Sequence, residues 1–135
     1  MRRVVYDTNV IVSAALKPGS LPAALVTLAL RQQVQLCVSD ALLAEYTEVL
    51  NRPKFGLEAR AVATLLAELT AGALIVQPTE RITAARDASD DPVLECAVAA
   101  AADLLVTGNL KHFPAPTFRG IAIVTPAEGV ARLLA

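Results

Sequence analysis

A chain of 135 residues fits one domain with a sizeable core, so one site is sought over residues 1–135 and not two modules. Hydrophobic residues make up 55% and mean hydropathy is +0.52, yet no apolar run approaches the ~18 residues that a spanning helix needs, so no membrane segment is read. A net charge of −1 excludes a globally basic footprint for nucleic acid, but not an enzyme whose acidic site holds cations and whose basic residues are local.

Met1, Arg2 and Arg3 before an apolar stretch resemble the start of a signal peptide, but Asp7 and Asn9 would fall in its apolar centre. No targeting segment is read there. Val4, Val5 and Tyr6 predict a buried strand, stopped by Asp7, Thr8 and Asn9. The carboxyl end of a strand in an open α/β sheet is where chemistry is placed. Asp7 and Asn9 could equally cap the turn and the following helix. Pro18 and Gly19 break the chain, and Ser20 caps a helix predicted over Leu21–Gln32. Val34–Val38 is a second strand, and Ser39 and Asp40 open a helix through about Leu50. A helix over about Leu57–Ala71 stops at Gly72, and Ala73–Val76 supplies a third strand. Thr79–Asp87 reads as a short helix with a loop after it. Asp91 and Pro92 start a helix to about Ala102, Leu104–Val106 is a fourth strand, Ile121–Val124 a fifth, and Pro126–Leu134 a closing helix. Strands alternating with helices imply βαβ units, hence a three-layer α/β/α domain around a mostly parallel five-stranded sheet. Cys37 and Cys96 sit in apolar stretches and read as small buried hydrophobes in a reducing compartment, with the cytoplasm as the default.

The acids then need placing. On the Asp40 helix, Leu42, Leu43, Tyr46, Val49 and Leu50 form the apolar stripe, which puts Glu45 at its edge overlooking a cleft and turns Glu48 away. Asp87, Asp90 and Asp91 form the densest acidic cluster, just before a helix. One aspartate suffices to cap it, so the cluster asks for more. The fourth strand ends in Thr107, Gly108 and Asn109, again presenting polar side chains past a buried strand. Polar oxygens from these separate ends could converge over the middle of one sheet. Hard oxygen donors without a cysteine or histidine cluster select Mg²⁺ or Mn²⁺. Such ions suit phosphodiester hydrolysis. Other chemistries lack their parts: His112 is the single histidine, and the chain has no Gly-x-Ser-x-Gly elbow, no P-loop and no glycine fingerprint after the first strand.

The segments VVYDTNVIVSAAL at 4–16, SDALLAEYTEVLNRPKF at 39–55, DDPVLECAVAAAADLLVTGNLKHF at 90–113 and IAIVTPAEGV at 121–130 together resemble the PIN-domain family, and within it the toxin-like PIN ribonucleases of prokaryotic type II toxin-antitoxin modules. These blocks follow the family's order over nearly the whole chain. The resemblance implies a metal-dependent endoribonuclease using Mg²⁺ or Mn²⁺, acting on RNA. Carried over, the metal acids are Asp7, Glu45 and Asp91, with Asn109 as fourth catalytic position and Thr8, Asn9 and Thr107 in support. Thr107 and Asn109 follow Asp91 by 16 and 18 residues (107 − 91 and 109 − 91), the family's spacing, which favours Asp91 and leaves Asp90 the runner-up. Many relatives carry aspartate where this chain has Asn109, which brings an oxygen but no charge. Arg52, Lys54, Lys111 and His112 are the candidate phosphate contacts. The resemblance further implies a homodimer and a cognate antitoxin protein. The alternatives are a catalytically weakened binding module of the same fold and an RNA-maturation nuclease outside any toxin-antitoxin pair.

Overall fold

Val4, Val5 and Tyr6 are all fully buried, although successive side chains of a strand point to opposite faces of its sheet. A strand buried on both faces needs helices on both. The computed structural model describes residues 1–83, 91–113 and 116–135 and has that architecture. The elements run β1 (Arg3–Tyr6), α1 (Thr8–Leu16), α2 (Leu21–Leu30), β2 (Gln35–Val38), α3 (Asp40–Leu50), α4 (Ala59–Gly72), β3 (Leu74–Ile75), α5 (Asp91–Ala99), β4 (Leu104–Val106), β5 (Thr117–Phe118), β6 (Ile121–Val124) and α6 (Pro126–Leu134), with 3₁₀ turns at Pro53–Phe55 and Leu110–His112. Strand order is β3-β2-β1-β4-β6-β5, parallel throughout except for the β5–β6 pair.

All five predicted strands form, but the sheet has six. The addition is an antiparallel edge strand in which Thr117 and Phe118 pair with Ala122 and Ile121. Arg119 and Gly120 link them with φ of 49° and 84°, the left-handed pair that a two-residue hairpin needs. Two residues are too few for an alternating pattern, and arginine is not among the residues that signal such a turn. The short helix expected in Thr79–Asp87 does not form over 79–83, and the rest of that segment lies outside the described residues.

Local chemistry sets the helix starts. Ser20, Ser39 and Thr125 each accept a backbone N–H from the first turn of α2, α3 and α6. Asp7 does so for α1 by accepting from Thr8 N. Between these ends, α5 packs against β1, β2 and β4, while α6 packs against β4 and β6. Among the described residues no single helix is long and apolar enough to cross a membrane.

Cys37 on β2 and Cys96 on α5 are free, buried thiols. Burial, with Cys37 nearby, pushes the Cys96 thiol up to about 12, and burial also raises Cys37. Both stay neutral in the folded chain while the unfolded chain ionises them first, so stability is lost as pH climbs from about 9 toward 12. At pH 8 we expect negligible reaction with a disulfide reagent until the chain is unfolded in guanidinium, when both thiols titrate. Rapid labelling of the native protein would contradict that burial.

Candidate active site

The strand order reverses direction between β1 and β4, since the chain leaves β1 toward β2 on one side and β4 toward β6 on the other. Such a switch point leaves a crevice beyond the carboxyl ends of the two strands. Tyr6 is in register with Val106, and the ladder continues one residue further through Asp7 N–H to Val106 O at 2.9 Å and Thr107 N–H to Val124 O at 2.9 Å. Asp7 and Thr107 are therefore set side by side at the top of the sheet.

Asp7 is only 3% exposed, and every partner described for its carboxylate is a donor. Thr8 N–H gives to Oδ1 at 2.8 Å, while Asn9 Nδ2 at 3.1 Å and the Thr107 hydroxyl at 2.7 Å give to Oδ2. These three donors match the acceptor oxygens of a carboxylate. Two of the supporting residues also tie loops together. Asn9 Oδ1 accepts Gly108 N–H at 2.9 Å, and Thr107 Oγ1 accepts Asn109 N–H at 3.0 Å. A Cβ at position 108 would stand 3.2 Å from Asn9 Oδ1, so glycine there lets the two loops close on each other.

Glu45 reaches the same cleft from α3, where its carboxylate accepts the Thr8 hydroxyl. Its neighbour Tyr46 is fully buried and donates its hydroxyl to Tyr6 O, the carbonyl just before Asp7. Burial, with Cys96, Asp7, Tyr6 and Glu45 nearby, holds the Tyr46 phenol well above its ordinary value, so it remains a proton donor. One α3 segment thus supplies a cleft acid and braces the strand carrying the other.

The cleft occupies about 480 Å³ along the seam between α1 and α3. α1 lines it with Thr8, Asn9, Val12, Ser13 and Leu16, and α3 with Glu45, Glu48 and Val49, followed by Arg52 and Phe55. Both sets follow the three- and four-residue spacing of one helix face. Glu48 was expected to point away from the cleft. It lines it instead, and pairs with Arg52 through Nη2–Oε2 at 2.8 Å and Nε–Oε1 at 3.2 Å. The apolar stripe put Glu45 at its edge, and α1 lies along that same flank, so Glu48, one turn further on, borders the seam as well. Sequence reasoning also passed over Val12, Ser13, Leu16 and Val49, whose helical spacing was the available signal, and Phe55, which had none.

The other candidates are not among the described residues that line this cleft. Asp91, half-buried at the first residue of α5, lines a separate hollow with Arg81, Ile82, Thr83, Pro92 and Glu95. Asp87 and Asp90 lie outside the described residues. Asn109 precedes the 3₁₀ turn that carries Lys111 and His112, and none of the three lines the Asp7 cleft. Lys54 is exposed, with Nζ 5.1 Å from the centroid of the Phe55 ring.

Among the described residues, no three histidine, cysteine or acidic side chains form a group that could hold a metal. Mg²⁺ does not require one: it keeps several waters and is usually bound by one or two carboxylates together with substrate phosphates. Asp7 and Glu45, joined through Thr8, supply hard oxygens of that kind. With Glu48, the cleft carries three carboxylates against the Arg52 guanidinium, an excess of negative charge that favours a cation.

No match to a curated protein was found. A family profile described as PIN domain matches residues 3–111, a span that includes β1 through β4 and every acid named above. Members of that family are generally metal-dependent nucleases that bind nucleic acid. With carboxylates gathered over the switch point of a mostly parallel sheet, and with that match over most of its length, this chain belongs to the PIN-domain family.

Proposed function

We propose that this protein is an Mg²⁺- or Mn²⁺-dependent endoribonuclease, the toxin of a toxin-antitoxin pair, which hydrolyses RNA to 5′-phosphate and 3′-hydroxyl ends. The observation that carries the reading is the Asp7–Thr8–Glu45 arrangement: two carboxylates on one acidic cleft, one of them fixed by three donors. Asp7 and Glu45 would hold the ion, with Asp91 as the proposed acid from α5 and Asn109 orienting water. When bound, the ion supplies positive charge that stabilises the leaving oxygen and acidifies the attacking water. Thr107 and Asn9 keep the Asp7 carboxylate aimed through their hydrogen bonds to Oδ2. Thr8 restrains Glu45, so that neither acid has to be ordered when substrate arrives.

A cytoplasmic homodimer whose cleft is covered by a cognate antitoxin completes the proposal. The antitoxin reading predicts a neighbouring small open reading frame whose product, added in equal amount, suppresses cleavage. A second reading, a binding module with weakened catalysis, is favoured by Asp91 lining a separate hollow and by the amide at Asn109.

Incubation of structured RNAs with Mg²⁺, Mn²⁺ or EDTA separates the two. We expect cleavage with either metal, none in chelator, and 5′-phosphate on the products. Activity that survives chelation, or products ending in a cyclic phosphate, would rule out the mechanism. RNA binding without cleavage in any metal would favour the binding module.

A further inference from the structure

The cleft does not end at its acids. Val12, Leu16, Val49 and Phe55 give much of its lining an apolar character, and Leu16 is 41% exposed although large and aliphatic. A site that held only a cation would have no use for this extension. Its volume of about 480 Å³ falls in the range of pockets that receive a small organic group. Phe55 is also held by a stiff turn. Pro53 presets its start, and Gly56 leaves it with φ of +62°. Lys54 lies over the face of the ring, and Arg52, paired with Glu48, lines the same cleft. Aromatic rings beside basic side chains are how single-stranded nucleic acid is gripped: the ring stacks a base and the cation follows the backbone. In a duplex both faces of a base are already stacked, so an unpaired base is the group that fits.

We propose that Phe55 determines specificity in this cleft by docking an unpaired nucleobase of the RNA close to the acids, against the apolar wall it forms with Val12, Leu16 and Val49. The inference rests on the nuclease reading for the identity of the ligand as RNA. Arg52 is committed to Glu48 in a two-bond pair, whereas Lys54 stands over the ring and meets the phosphate beside the docked base.

Fluorescence anisotropy of a short labelled single-stranded RNA, in chelator and again with Ca²⁺, reads docking apart from turnover. Phe55→Leu should weaken binding about 5- to 100-fold, while Phe55→Trp stays within a few-fold of the native protein. A duplex of the same sequence should bind the native protein more weakly. An abasic nucleotide moved along the RNA should reveal one position whose loss weakens native binding by a similar factor, with Phe55→Leu indifferent to it. That arm alters the RNA alone and stands even if a Phe55 variant fails to fold. Binding that ignores the abasic series, or that is equal for duplex and single strand, overturns the proposal. So does undetectable binding in both conditions, which would leave the apolar wall to a protein segment. Cleavage of the same RNA is scored separately. Base-dependent binding without cleavage sinks the nuclease reading and supports base docking, whereas cleavage with base-independent binding does the reverse.

Discussion

Replacing Asp7 by asparagine is expected to lower RNA cleavage on the order of 10³-fold, the consequence of removing several kcal/mol of charge-dependent stabilisation. The substitution keeps the shape and deletes the charge. It also puts an amide NH₂ where the described partners of the native group are all donors. In one orientation the NH₂ faces Asn9 Nδ2 and the Thr107 hydroxyl, and in the other it faces Thr8 N–H. Either arrangement leaves a buried donor unmatched, so stability should fall by about 1–3 kcal/mol. Denaturant unfolding and cleavage of one RNA with Mn²⁺ check both effects. A variant that unfolds early yet cleaves at the native rate would remove Asp7 from the mechanism.

The second large effect is expected at Thr107, which is fully buried and holds two groups through one oxygen. Its hydroxyl donates to Asp7 Oδ2 at 2.7 Å and accepts Asn109 N–H at 3.0 Å. Valine has nearly the same shape, so Thr107→Val tests the hydroxyl and not the packing. It strips one donor from the Asp7 carboxylate and leaves the Asn109 N–H without its acceptor. Loss of a residue that orients a metal-binding carboxylate typically costs 10- to 100-fold, and we expect cleavage to fall by about that factor. Stability should drop by about 1–3 kcal/mol. Thr107→Ser, which keeps the hydroxyl, should recover most of the activity. Equal activity of the valine and serine variants would show that β4 contributes framework and nothing to the site.

The strands were legible because β1, β2, β4 and β6 are runs of apolar residues that a sheet covered on both faces must have, and polar residues end them sharply. The helix starts at Ser20, Ser39 and Thr125 were legible for a local reason, since each side chain caps its own helix. Asp7 and Glu45 could be named from pattern and resemblance. Their hydrogen-bond link through Thr8 spans 37 residues of sequence and could not. Glu48 shows the same limit. The stripe on α3 records which face is apolar, but it does not say that α1 borders the polar flank, so the residue was turned the wrong way. Phe55 was passed over because one aromatic after a proline carries no periodic signal.

By itself, then, the order of residues determined most of the element types, the parallel strands and the polar residues, Asp7 and Thr107, that end the two central ones. These follow from short-range forces: burial of alternating or continuous apolar runs, capping by adjacent side chains, and the fixed dihedrals of proline and glycine. Tertiary structure decided which acids share a cleft. Asp7 and Glu45 meet because α1 packs on α3, whereas Asp91, equally prominent in the sequence, heads a helix and lines a hollow with Arg81 and Glu95. Convergence of distant side chains is a property of packing angles and loop paths, and those are summed over the whole chain and not written in any one stretch of it.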